Sequence, residues 1–306
     1  MIKEIPNGVY PTMITPYTSD NRIDYAAVEA LLHWYASHGA NGIFAICQSS
    51  EIFFLSFEER FALLRFIMRH KPAGMTVVAS GHTADDPTQQ IEEAKAFINE
   101  GIDAYVFIAN RFARADEGDD VFLRRYEAAA AALPEIALGV YECPYPYKRV
   151  MAPETLRACA QNGRLQFLKD TCCRMDLIRA KLDAVADTPL KIFNANAALL
   201  LESLQAGCAG YSGVMANFHP ELYAWLCAHY RSDPETAALV QAFLGFASVA
   251  ECQCYPVNAK YYLDLCGVKM GWTSRARDAA EFGESRRREI EQMHVVTEAL
   301  KNRLGI

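Results

Sequence analysis

The chain has 306 residues, enough for one large α/β domain or two small ones. It is 52% hydrophobic and 22% charged, which fits a globular protein with a sizeable core. The net charge of −7 and the lack of a long Lys/Arg stripe exclude a nucleic-acid-binding surface. The densest basic run, Ser285-Arg286-Arg287-Arg288-Glu289, lies in an acidic helical context and reads as a solvated helix face. The opening Met-Ile-Lys-Glu-Ile-Pro has no apolar core of a secretory signal, and no apolar run reaches the length of a membrane span. The ten cysteines are scattered through apolar segments such as Ile46-Cys47 and Leu226-Cys227, so reduced, buried thiols and a cytoplasmic location are expected. Cys172-Cys173 and Cys252-x-Cys254 lack the spacing of a zinc site, so no metal is expected there.

Taken in chain order, short apolar runs alternate with longer helical patterns. Strands are predicted over Val9–Thr15, Gly42–Cys47, Thr76–Ser80, Ala104–Ile108, Ala137–Tyr141, Leu165–Lys169, Leu190–Phe193 and Gly210–Val214. Continuous rather than alternating hydrophobicity marks parallel strands buried on both faces. Between them, helices are predicted over Asp24–His38, Phe57–His70, Thr88–Asn99, Asp119–Ala132, Thr155–Gln161, Met175–Val185 and Ala197–Ala206. Ser56 and Glu59 form a capping box for the second of these, and Gly101 stops the third. Eight strand–helix units suit a (β/α)8 TIM barrel over residues 1–216. The absence of Gly-x-Gly-x-x-Gly after the first strand argues against a doubly wound sheet. Residues 217–306 read as helix only, over Pro220–His229, Pro234–Gln253, Val257–Cys266 and Ser274–Leu304, a C-terminal helical extension packed on the barrel.

Active-site residues of such barrels stand at the C-terminal ends of the strands. Lys169 closes the sixth strand in an otherwise apolar segment. A lysine held in a barrel mouth loses hydration, its pKa falls, and the neutral amine can attack a ketone. The alternative is an ammonium that simply leaves the barrel for solvent. Tyr141 ends the adjacent strand, where a phenol can relay protons or merely pack its ring at the rim.

Further motifs accompany these two. They are Thr15-Pro16-Tyr17, Ile23-Asp24, Glu51 with Leu55-Ser56-x-Glu58-Glu59-Arg60, Gly101-Ile102-Asp103-Ala104, Gly207-Cys208-Ala209-Gly210 and Tyr141-x-x-Pro144, with Lys169 lying 28 residues beyond Tyr141. The set resembles the dihydrodipicolinate synthase and N-acetylneuraminate lyase family over nearly the whole chain. The resemblance implies a pyruvate-dependent class I aldolase or lyase, with Lys169 as Schiff-base nucleophile and Tyr141 as proton relay. The protonated imine would serve as electron sink, and no metal or organic cofactor would be required. Small-molecule partners are implied, namely pyruvate or a 2-oxo acid plus an aldehyde, and a homotetramer.

The chain also departs from the family. Cys47-Gln48-Ser49-Ser50-Glu51 stands where the family has Gly-Thr-Thr-Gly-Glu. Gln48 and Ser49 can still donate hydrogen bonds to a carboxylate. The synthases' relay tyrosine after strand four is missing from Ile108–Arg114, leaving Asn110 and Arg111 as substitutes. Pro146 replaces the arginine that binds the second substrate's carboxylate in the synthases, with Lys148 and Arg149 just beyond. Glu142 replaces the usual asparagine beside the tyrosine and is expected to contact substrate. Asn194 and Asn196 either hydrogen-bond a polyol chain or serve as turn residues, and Ser212 on the eighth strand joins the expected substrate-binding set. Three readings follow: an aldolase acting on a sugar acid or related 2-oxo acid, a 4-hydroxy-tetrahydrodipicolinate synthase, and a catalytically silent barrel that binds a 2-oxo acid.

Overall fold

Eight parallel strands form a nearly closed barrel in the computed structural model, which describes residues 2–306. The strands are β1 (Gly8–Val9), β2 (Gly42–Ala45), β3 (Thr76–Ala79), β4 (Ala104–Ile108), β5 (Ala137–Tyr141), β6 (Leu165–Asp170), β7 (Lys191–Asn194) and β8 (Gly210–Tyr211). Their order is β1-β8-β7-β6-β5-β4-β3-β2, and a single parallel bridge between Thr12 and Phe44 joins the two ends. The first strand is shorter than its apolar run predicts. Pro11 has no N–H to continue a ladder, so pairing beyond it shrinks to that bridge. At the β1–β8 seam the backbones nearly touch: a Cβ on Gly210 would lie 1.9 Å from the Gly8 carbonyl oxygen, so only glycine fits.

The barrel helices are α1 (Tyr25–Ser37), α2 (Phe57–His70), α3 (Pro87–Asn99), α4 (Ala109–Phe112), α5 (Asp119–Ala132), α6 (Pro153–Ala160), α7 (Met175–Ala184) and α8 (Leu200–Ala206). The capping box at Ser56 and Glu59 forms as its spacing predicts, and Pro87 occupies the first turn of α3. The single turn α4 has no forecast in the sequence pattern. Four more helices follow: α9 (Pro220–His229), α10 (Pro234–Ala247), α11 (Val257–Leu265) and α12 (Glu284–Leu304).

Two of the predicted C-terminal helices are shorter than expected. The one beginning at Pro234 ends at Ala247 and tightens into a 3₁₀ turn over Ser248–Cys252. The last begins at Glu284, not Ser274. The backbone N–H groups of Arg275 and Ala276 are bonded to the Glu51 carboxylate instead, which leaves residues 273–278 as a loop over the barrel mouth.

The barrel interior is packed with aromatic rings contributed by separate strands. Phe167 stacks on Phe193 at 4.6 Å, Tyr10 meets Phe193 edge-on at 5.0 Å, and Phe44 reaches Tyr141 at 5.5 Å. This plug is the floor on which the residues of the mouth stand. Among the described residues no helix is long and apolar enough to cross a membrane.

Candidate active site

Tyr141 and Lys169 are in register on adjacent strands, both inward. The Lys169 Nζ lies 4.2 Å from the Tyr141 ring centroid and 5.6 Å from that of Phe44. Lys169 is only 4% exposed, and burial pulls its amine below the ordinary lysine range. Burial holds the Tyr141 phenol well above its ordinary range, so it keeps its proton. That phenol donates to Gln48 Oε1 at 3.2 Å, and the Cys143 thiol donates to the same oxygen at 3.4 Å. With both donors on Oε1, the Gln48 amide keeps its N–H groups for a ligand.

Lys169, Tyr141, Gln48 and Ser49 share the wall of one cavity of about 570 Å³. That size suits a small substrate. Ser49 Oγ donates to Thr12 Oγ1 at 3.0 Å. The loop that carries Gln48 and Ser49 is pinned on its far side. Ser50 Oγ accepts from Cys47 N and donates to the Met13 carbonyl. Glu51, in the left-handed region at φ 61°, is buried. Its carboxylate accepts from Lys260 Nζ at 3.2 Å, Ser274 Oγ at 2.9 Å, Arg275 N at 2.6 Å and Ala276 N at 2.9 Å. Burial draws the Lys260 pKa down to about 8, with Glu51 opposing. Glu51→Gln is expected to cost about 3 kcal/mol, because it strands a buried ammonium and weakens three further bonds. Urea unfolding measures it, and an unchanged midpoint would refute the clamp.

Strand alternation sends the neighbours of the two inward residues outward. Glu142 and Asp170 are fully buried behind the cavity and converge on Lys181 of α7. Lys181 Nζ donates to Glu142 Oε1 at 2.6 Å, and also to Asp170 Oδ2. The remaining Glu142 capacity is filled by Met151 N and Thr171 N, each at 2.8 Å. Burial and the neighbouring Asp170 carboxylate push Glu142 up, with Lys181 opposing. Burial works against the Lys181 proton, yet the two carboxylates hold it above the ordinary lysine range.

Glu142 is therefore not on the cavity wall, contrary to its expected substrate contact: a carboxylate at an outward position is taken up by Lys181. Asn194 departs in the same way. It is fully buried, donates to Ser203 Oγ at 3.0 Å and accepts from Asn196 N at 2.8 Å. Ser212 is also fully buried off the cavity wall, with no partner for its Oγ among the described residues. Asn196 does line the cavity, while its Oδ1 caps Leu199 N at 3.1 Å and its Nδ2 reaches Cys173 Sγ.

Neither substitute for the relay tyrosine is on that wall. Asn110 directs its amide at the carbonyls of Cys143, Tyr145 and Tyr147, holding the loop after β5. Arg111 pairs with Asp85 and covers the Phe53 ring. Arg149 pairs with Asp119, whereas Lys148 lines the cavity and donates to the Thr171 carbonyl.

The far wall comes from residues that strand-end reasoning did not single out, Glu251, Cys252, Tyr255 and Arg277. They lie beyond the eighth strand, where Glu251, Cys252 and Arg277 fall in segments whose pattern reads as helix and Tyr255 falls in the short gap between two of them. The one local signal was Pro256, which bars a helix from running through Tyr255. Tyr255 accepts from Asn217 Nδ2 at 3.1 Å. Among the described residues no group of three or more His, Cys, Asp or Glu side chains is placed to hold a metal ion.

Comparison with known proteins identifies the family. The sequence profile of the dihydrodipicolinate synthetase family matches residues 5–292. A 4-hydroxy-tetrahydrodipicolinate synthase of Saccharophagus degradans is 24% identical over 264 residues, covering 85% of this chain and 89% of the relative. One from Synechocystis is 24% identical over 271 residues, covering 86% and 87%. Among solved structures, YagE of E. coli, a prophage protein of the dihydrodipicolinic acid synthase family in complex with pyruvate, superposes with a TM-score of 0.85 at 21% identity, covering 96% of this chain and 98% of the other. The sialic acid aldolase of Ruminococcus gnavus superposes with a TM-score of 0.83 at 19% identity, again covering 96% and 98%. The chain belongs to the dihydrodipicolinate synthetase family, and with it to the pyruvate-dependent aldolases of the carbon–carbon lyase class.

Proposed function

We propose that this protein makes or cleaves the carbon–carbon bond that joins pyruvate and an aldehyde in a sugar acid or related 2-oxo acid. Lys169 is the Schiff-base nucleophile and Tyr141 the proton donor to the carbinolamine. The observation that carries the reading is the buried Lys169 amine, 4.2 Å from the Tyr141 ring at in-register strand ends on the cavity wall. Desolvation favours the neutral amine that must attack the ketone, and a phenol that keeps its proton can deliver it to the departing hydroxyl. The Gln48 amide receives the pyruvate carboxylate, and the Ser49 hydroxyl joins it by turning its proton away from Thr12. Asn196 and Thr171 offer hydrogen bonds to substrate hydroxyls. The chemistry uses no metal or organic cofactor. The protein works in the cytoplasm as a homotetramer, as its family suggests.

A second reading, 4-hydroxy-tetrahydrodipicolinate synthase, is favoured by the names of the sequence relatives. Against it stands Pro146 in place of the synthase arginine, since a bidentate guanidinium is not replaced by a lone ammonium such as Lys148. Turnover of pyruvate with aspartate semialdehyde separates the two.

The primary test is incubation with pyruvate and borohydride, followed by peptide mapping. One reduced pyruvate on Lys169 is expected. No adduct, under conditions that trap an established family member, would sink the aldolase reading in favour of a silent 2-oxo-acid-binding barrel.

A further inference from the structure

An aldolase of this kind needs a base as well as an acid, and the two groups that first suggest themselves cannot supply one. Tyr141 donates its proton to Gln48, and a buried neutral phenol is a poor proton acceptor. Gln48 is an amide and passes no proton onward. Asn110 and Arg111 lie off the cavity wall, engaged with carbonyls and with Asp85. Among the described residues the carboxylates on that wall are Glu51 and Glu251. Glu51 is saturated by Lys260, Ser274 and two backbone amides.

Glu251 is different. It sits on the 3₁₀ turn Ser248–Cys252, crowded by protein yet open to the solvent of the cavity. No described residue contributes a hydrogen bond to its carboxylate, and the one charge acting on it is that of Lys169. Its other titratable surroundings are the phenols of Tyr211, Tyr223 and Tyr255, all of which feel its charge. Crowding pushes its carboxyl above the ordinary glutamate range, which strengthens it as a base. An acid held high and a carboxylate open to the same cavity are the pairing that divides acid from base work.

We propose that Glu251 is the base that moves the C3 proton of the pyruvyl imine. The assignment rests on the Schiff-base reading above. One Glu251 oxygen takes a proton from C3. The C–H electron pair becomes the C2–C3 double bond, and the C2–N pair moves onto nitrogen, so the cationic imine becomes a neutral enamine. The proton waits on Glu251, where cavity water exchanges it, and returns to C3 in the reverse step.

Pyruvate alone suffices as the probe. In D2O the wild type washes deuterium into the pyruvate methyl group, read by proton NMR, while borohydride trapping reads imine formation separately. In Glu251→Gln, trapping is expected to persist and methyl exchange to fall about 100-fold, the scale of one general base. Glu251→Asp is expected to recover part of the exchange. Unchanged exchange in Glu251→Gln would overturn the assignment. A parallel loss of trapping and exchange would overturn it too, by placing Glu251 at imine formation. If the wild type itself forms no adduct, the Schiff-base reading falls first.

Discussion

Lys169→Met is expected to abolish borohydride trapping of pyruvate, lower turnover roughly 10⁴-fold or more, and raise the thermal midpoint. The loss of activity follows from removing the buried amine proposed to form the imine, on the scale seen when a covalent nucleophile is deleted. The gain in stability has a different origin. Lys169 is 4% exposed, faces the rings of Tyr141 and Phe44, and among the described residues makes no direct ion pair, Glu251 acting on it only at longer range. Burial therefore works against its charge in the folded state. Its folded pKa is depressed, so the penalty is full at low pH and is relieved as pH rises towards the unfolded lysine value. Methionine fills the same channel without that penalty. A gain of about 1 kcal/mol is expected at neutral pH, or a rise of about 2–4 °C for a chain of this size. Calorimetry at two pH values checks it: the difference between wild type and variant shrinks at the higher pH. A destabilised variant would mean that the Lys169 amine is held by interactions other than the aromatic walls.

The opposite outcome is expected at the other lysine of this region. Lys181→Met leaves Glu142 and Asp170 facing one another without a cation, in a site where all three side chains are fully buried. Removing one partner from such a cluster costs about 3–5 kcal/mol. The sign of the pH dependence follows from the shifts. Lys181 binds its proton more tightly folded than unfolded, so its contribution is complete below 10.5, the ordinary lysine value, and is lost as pH climbs through its folded value. Glu142 is held above its ordinary value of 4.5, so in the variant the cost is smallest in acid, where the stranded Glu142 carboxyl takes up a proton. Denaturant unfolding between pH 4 and 8 reads this directly. Pairing Lys181→Met with Asp170→Asn, which removes one of the two carboxylates, is expected to restore part of the loss. No recovery would show that the cost is packing rather than charge.

Much of this architecture was legible in the sequence because parallel barrel strands are continuous apolar runs with turn residues between them. All eight strands form near their predicted positions, and α2, α5 and α9 span the predicted residues. Tyr141 and Lys169 were legible for a further reason, since each is a polar residue that ends such a run. What the sequence hid was direction. Glu142 and Asn194 also stand at strand ends, but on the outward or fully packed side, and period-two alternation alone does not say which residue of a pair faces in when both are polar. The far wall was hidden more deeply. Glu251 falls in a helical pattern that the chain abandons at Ala247, and Arg277 lies where the Glu51 carboxylate holds the backbone out of a helix. A bond between residues 51 and 275 leaves no trace in local periodicity.

That same tie divides the cavity into two separately owned halves. The Lys169 half stands on strands that cannot change without disturbing the barrel. The opposite half stands on the turn after α10 and on a loop moored to the barrel through Glu51 and through the Arg275–Glu59 pair. Substitutions at Cys252, Tyr255 and Arg277, on the proposed reading, are therefore expected to retune which aldehyde is accepted while imine formation at Lys169 persists.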